Sequence, residues 1–245
     1  MRYKITIEYN GSNFIGWQRQ KDLPNSIQEI IEEAIFKFSQ QRVILYVAGR
    51  TDAGVHALGQ VAHFDLTTDL DTYVIRNAIN CHLAPHAIAI LSVEKTDDKF
   101  HARFSAKKRH YLYKIINRYS PLVLDYNRAW LVRTPLNVEN MIQAVEYIKG
   151  NHDFSSFRGK HCQSKSTIKT IDNLQIIQNN QSIDIYIAAL SFLHHQVRII
   201  AGTLVECGKN NFPPEYIKNI IEAKNRSYAG MTAPSCGLYF VKVDY

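Results

Sequence analysis

The residues best suited to chemistry fall in one short run, Gly49-Arg50-Thr51-Asp52-Ala53-Gly54-Val55-His56-Ala57. Asp52 is the only acid between Glu33 and Asp65, and a guanidinium stands two places away at Arg50. A neighbouring cation favours the ionised carboxylate, the form that acts as a nucleophile or a base. Gly49 and Gly54 have the spacing of a phosphate-binding loop, but Val55-His56 stands where that loop needs Lys and Ser/Thr. A nucleotide cradle of that type is therefore excluded. The plain alternative is an Asx-type hairpin turn, where Asp and Gly occur for purely local reasons. His56 in the same loop could reach a phosphate, and its role stays open. Two other groups invite a metal, and neither supports one. His194 and His195 are adjacent, and adjacent residues on a helix point different ways, with no third ligand at useful spacing. Cys81, Cys162, Cys207 and Cys236 are scattered with no CxxC pair, which reads as reduced cytosolic thiols and neither a zinc site nor a disulfide framework.

Charge points to the kind of partner. The 245 residues carry a net charge of +7 and a pI near 9.1, which suits a polyanion. Lys99 to Arg118 holds Lys99, Arg103, Lys107, Lys108, Arg109, Lys114 and Arg118 with no acid, interleaved with Phe100, His101, Phe104, His110, Tyr111 and Tyr113. Arg158 to Lys169 adds four more basic residues without an acid. Cations neutralise phosphates and aromatic faces stack on exposed bases, so this mixture is the composition of a single-strand or loop RNA surface. A solvated strand with core-facing aromatics has the same composition. Aromatic residues make up 11% of the chain, which excludes general disorder. The N-terminus alternates from the first residues and lacks a signal peptide's apolar stretch. No run approaches the roughly 18 apolar residues of a membrane span. A soluble cytoplasmic protein is expected.

These residues need elements to hold them. Tyr3, Ile5, Ile7 and Tyr9 share one side of a strand that Asn10-Gly11 ends. Ser26 caps a helix, with Glu29 completing a capping box and Ile27, Ile30, Ile31, Ala34, Ile35 and Phe38 forming its apolar stripe. Val43–Ala48 and Gln60–Leu66 read as strands, Thr72–Asn80 as a short helix and Ala87–Val93 as a strand. In the second half Lys107–Asn117 alternates as a strand. Asn137 caps a helix through Val138, Met141, Ile142, Val145 and Ile148, which Gly150 stops. Strands near Thr167–Gln178 and Ser182–Leu190 flank a turn at Asn179-Asn180-Gln181. A helix near His195–Cys207, another near Pro214–Lys224 and a last strand at Gly237–Asp244 follow. The pattern is two β-α-β-β-α-β units: an α+β fold of duplicated ferredoxin-like (RRM-like) topology, its largely antiparallel sheets joined into one extended sheet with an active-site cleft between the units. The domains are drawn at 1–106, carrying the Asp52 loop, and 107–245, carrying the tyrosine strand, the arginine helix and the terminal strand. A single irregular α+β domain is the alternative.

The Asp52 loop, Phe100-His101-Ala102-Arg103-Phe104, Arg109-His110-Tyr111-Leu112-Tyr113, Asp153-Phe154-Ser155-Ser156-Phe157, Phe192-Leu193-His194-His195-Gln196-Val197-Arg198 and Gly237-Leu238-Tyr239-Phe240 follow one another along the chain. In types and order they resemble the TruA-type tRNA pseudouridine synthase family over essentially the whole length. His110 separates Arg109 from Tyr111, one place more than in many members. The resemblance implies an isomerase of tRNA that converts uridine to pseudouridine at positions 38, 39 and 40 of the anticodon stem-loop. It implies Asp52 as nucleophile, Tyr111 stacked on the target uracil, Arg198 paired with the nucleophile, Arg50 filling the space of the flipped base and Leu238 lining the uracil pocket. It further implies no cofactor, no metal and a homodimer. Whether Asp52 attacks ribose C1′ or the base, or helps form a glycal, stays open at this level.

The residues alone leave two other functions. A non-catalytic RNA-binding protein on RRM-like units needs a Gly/aromatic RNP1 strand, which no segment provides. A base-excising glycosidase needs a second carboxylate, and Asp52 has none near it in sequence.

Overall fold

A computed structural model describes residues 1–20 and 23–245. The fold is α+β, with strands and helices mixed along the chain. In chain order the elements are β1 (Arg2–Tyr9), α1 (Ile27–Ser39), β2 (Tyr46–Val47), β3 (His56–Asp65), α2 (Thr72–Leu83), β4 (Ile88–Thr96), β5 (Lys108–Asn117), β6 (Trp130–Val132), α3 (Val138–Ile148), β7 (Gly150–Asp153), β8 (Ile168–Asn179), β9 (Ser182–Ala189), α4 (Gln196–Gly208), α5 (Tyr216–Ala223) and β10 (Leu238–Asp244). They form two compact units, Met1–Lys107 with Tyr239–Tyr245, and Lys108–Leu238.

In the first unit β1 lies antiparallel between β3 and β4, and β2 pairs with β3. The alternation of β1 is why it is central: Tyr3, Ile5, Ile7 and Tyr9 are all buried. Each such side chain contributes roughly 1.5–3 kcal/mol by leaving water. Ser26 accepts the amide of Glu29 and starts α1 where expected, and Asp71 does the same for α2 through the amide of Tyr73. Helix α1 buries Ile27, Ile31, Ala34 and Ile35, while Ile30 and Phe38 are only half-buried.

Two expectations change here. The segment Val43–Ala48 is not a full buried strand; Tyr46 and Val47 pair with β3, and the Ala48 amide adds one bond to the Val61 carbonyl. The amide of Leu45 is taken instead by the Glu32 carboxylate on α1 at 2.9 Å, so the ladder cannot extend backward. The terminal strand was placed with the second half, but residues 239–245 belong to the first unit. There Tyr239 and Phe240 run parallel to His56 and Ala57 of β3, a pairing between segments that sequence periodicity does not link.

In the second unit β9 is antiparallel to both β5 and β8, β7 pairs with β8, and β6 runs parallel to β5. Asn180, at φ 54°, makes the β8–β9 turn. Asn137 accepts the amide of Asn140 to start α3, whose buried stripe is Val138, Met141, Ala144, Val145 and Ile148. Ile142 was counted in that stripe and is 46% exposed, because it follows Met141, the centre of the buried arc, by one residue and so lies about 100° round the helix from it. Helix α4 is buried on nearly every side, from Gln196 through Val205 with the exception of Arg198. Among the described residues no helix is long and apolar enough to cross a membrane.

Candidate active site

The loop that carries Asp52 is held by its backbone. The segment Gly16-Trp17 ties it to the start of α1: Trp17 donates its amide to the Thr51 carbonyl at 3.0 Å, while the carbonyls of Gly16 and Trp17 accept the amides of Ile27 and Gln28. Gly16 and Asp52 form an isolated antiparallel bridge. Gly16 has φ +106°, and a Cβ there would lie 2.8 Å from the Thr51 carbonyl oxygen. The far side is closed by side chains. Tyr9, at the end of β1, shares a hydrogen bond of 2.7 Å between its hydroxyl and Thr51 Oγ1. Buried Gln60 donates to the Gly49 carbonyl at 2.8 Å. Burial pushes the Tyr9 phenol up to about 12, against the opposing hydrogen bonds with Thr51 and Gln60, so it stays protonated. Within the loop Val55 donates to the Asp52 carbonyl, and Gly54, at φ +78°, completes the bend.

Asp52 is half-buried and Arg50 exposed. His56 is not a phosphate contact. It is 2% exposed, its Nδ1 accepts the amide of Gly11 at 3.0 Å, and its ring stacks on Tyr239 at 4.7 Å. Its work is to lock the loop to the segment after β1. Tyr9, Gly11, Gly16, Trp17 and Gln60 were not foreseen as part of this site. The only sequence signal among them was Asn10-Gly11, read as a turn, and it is in fact where the loop's backbone passes so close that a Cβ on Gly11 would overlap the Val55 carbonyl oxygen.

The other candidates lie in the second unit. Tyr111 is on β5 opposite Ile187 of β9, with its ring edge-on to Phe192 at 5.2 Å. Tyr113, two residues on, shares that strand face. It is fully buried, and its hydroxyl donates to the Pro234 carbonyl at 2.7 Å. Burial raises the Tyr113 phenol well above its ordinary value, and the charge of Arg198 opposes that rise. Arg198 sits in the first turn of α4 and is half-buried. Its Nε donates to the Ala233 carbonyl at 2.8 Å while Ala233 returns its amide to the Arg198 carbonyl at 3.1 Å. The first hydrogen bond holds the guanidinium and the second ties the backbone of α4 to the same passing segment, which gives the partly buried charge a partner. Leu238 opens β10 at 7% exposure.

His194 and His195 do not lie on a helix, so the earlier reason for setting them aside fails. Helix α4 begins at Gln196, His195 has φ 61°, and the two rings stack at 3.7 Å. In the basic cluster Lys107 is exposed. Lys108 is half-buried and 3.5 Å from Asp172, and Arg109 is half-buried and donates to the Leu190 carbonyl.

A carboxylate on a clamped bend in one unit, and a guanidinium and a tyrosine in the other, are side chains of the class that carries nucleophilic and acid–base chemistry. Comparison with known proteins gives this class a family. The family described as tRNA pseudouridine synthase matches residues 5–105 and 144–245. Proteins called tRNA pseudouridine synthase A are 84% identical in Ehrlichia chaffeensis, 59% in Wolbachia pipientis wMel and 57% in Anaplasma phagocytophilum, each over 100% of both chains. The chain belongs to the tRNA pseudouridine synthase family and is an isomerase.

Proposed function

We propose that the chain isomerises uridine to pseudouridine at positions 38, 39 and 40 of tRNA anticodon stem-loops, with Asp52 as nucleophile on a flipped nucleotide. The reaction breaks the bond from ribose C1′ to N1 and makes one from C1′ to C5; the C5 proton leaves and N1 gains one, so no electrons are exchanged. The base leaves the stack first, because neither face of the glycosidic bond is reachable inside it. Asp52 then holds the reaction covalently while the freed uracil turns. Tyr111 lies flat against the ring and assists the proton at C5. Arg198 supplies the cation for the carboxylate, Arg50 enters the gap left by the flipped base, and Leu238 lines the uracil pocket. Nothing in this sequence of steps calls for a metal or cofactor.

The observation that carries the proposal is the clamping of the Asp52 loop by Trp17, Tyr9, Gln60 and His56. A nucleophile that must meet an extruded base gains most from such fixed geometry. A simple Asx turn needs no anchors of this kind. The test uses tRNA labelled with tritium at uridine C5. Release of label matched by pseudouridine at positions 38–40 supports the proposal; retained label or abasic sites refute it.

We further propose that the protein works in the cytoplasm as a homodimer. The dimer has a surface available in the second unit, where Tyr119, Val123, Leu124 and Tyr126 are between 68% and 88% exposed on one loop between β5 and β6. Apolar side chains concentrated this way mark an interaction site.

A further inference from the structure

A column of rings runs outward through the first unit, in elements the catalytic proposal leaves unused. Its base is His63 of β3, which is 1% exposed. Tyr46 of β2 stacks on it at 5.1 Å and 19°. His101 meets His63 edge-on at 4.7 Å, and Phe104 lies 4.4 Å from His101. The Arg103 guanidinium is 5.6 Å from the centre of the Phe104 ring.

The column stands on a fixed turn. His63 Nδ1 accepts the amide of Ala102 at 3.1 Å, and His101 Nδ1 accepts that of Arg103 at 3.1 Å. The His101 amide is held by Ser105 Oγ, and Arg2 binds the Phe100 carbonyl. Burial lowers the basicity of both imidazoles, so they pack as neutral rings.

The outer end is bare. Phe104 is 76% exposed and Tyr46 44% exposed. Arg103, Lys99 and Lys107, all within five residues of Phe104 along the chain, are exposed, and no acid occurs from Lys99 to Arg118. An uncovered ring on a rigid turn among cations is matched to a partner with one flat face and a negative backbone. An unpaired nucleotide has both.

We propose that Phe104, backed by His101 and Tyr46 and flanked by Arg103, is a stacking platform for one unpaired base of the RNA substrate, additional to the contacts made with the isomerised uridine. It rests on tRNA being the substrate. The test measures the dissociation constant of full-length protein for tRNA at one ionic strength for wild type, Phe104→Ala, Phe104→Leu and Phe104→Tyr. Loss of one stacked base weakens binding about 5- to 100-fold, so the Ala and Leu variants fall by that factor while Tyr stays near wild type. The Leu variant keeps apolar contact without a π face. Wild-type affinity in the Ala variant, or in the Leu variant, overturns the platform. Pseudouridine formation by the wild type on the same tRNA separates the two proposals. Turnover with ring-independent affinity sinks the platform alone. Absent turnover sinks the catalytic proposal, while the ring dependence of affinity still decides the platform.

Discussion

Replacing Gly16 with alanine perturbs the Asp52 loop without altering any residue in it. Gly16 has φ +106°, where an L side chain costs roughly 1–2 kcal/mol. Its new Cβ would also lie 2.8 Å from the Thr51 carbonyl oxygen and 3.1 Å from Ala53 N, both backbone atoms that no side-chain rotation can clear. Forcing a methyl into packed structure adds about 1–3 kcal/mol. The sum is about 2–5 kcal/mol, read from urea unfolding. Gly150 supplies the comparison: it has φ +95°, but its Cβ would meet only His152 Nε2 at 3.7 Å, an ordinary contact. Gly150→Ala should therefore lose only about 1–2 kcal/mol and keep its turnover. In Gly16→Ala the loop must yield, and a displacement near 1 Å lowers kcat about 100-fold. Equal unfolding free energies for the two variants, or near-normal kcat in Gly16→Ala, would refute the claim that this backbone contact sets the position of Asp52.

Other consequences can be checked singly. Burial lowers His63 to about 4, below its unfolded 6.5, so the unfolded chain binds the extra proton between those values. Stability is then complete above pH 6.5 and falls as pH drops toward 4, by up to about 1.4 kcal/mol per unit; His63→Gln should flatten that slope in pH-dependent melting, and an unchanged slope counts against it. Lys107 is the most exposed of the basic cluster that begins β5. Lys107→Ala should reduce the slope of log affinity for tRNA against log salt by about 0.7–0.9, and an equal slope means no phosphate contact. Leu124, 88% exposed, should govern self-association, so Leu124→Glu should sediment as a monomer at concentrations where the wild type is a dimer. A monomeric wild type contradicts the dimer outright.

Much of the scaffold was visible in local patterns because it depends on local physics. The alternation of Tyr3, Ile5, Ile7 and Tyr9, the hydroxyl of Ser26 before an apolar stripe, and Asn137 before α3 each fix an element within a few residues. Strands β6 and β7 escaped notice because three or four residues cannot establish a period. Leu45 failed as a strand residue because a distant carboxylate, Glu32, claims its amide. The terminal strand was assigned to the wrong half because parallel pairing with His56 and Ala57 leaves no mark in either segment. The site divides in the same way. Asp52 stands out as an isolated acid between glycines, whereas its anchors Tyr9, Gly16 and Trp17 are 35 or more positions away and look like ordinary core and turn residues. The helix assumed for the histidine pair fails for a related reason: the left-handed backbone of His195 starts α4 one residue later than the sequence suggests.

The central claim is that the Asp52 carboxylate is the group that reacts. Asp52→Asn retains the size of the side chain and removes its nucleophilic charge, so pseudouridine should be mapped site by site in tRNA incubated with each protein. The account predicts modification at positions 38–40 by the wild type and none by the variant, with tRNA binding largely retained. Substantial pseudouridine made by Asp52→Asn would contradict it.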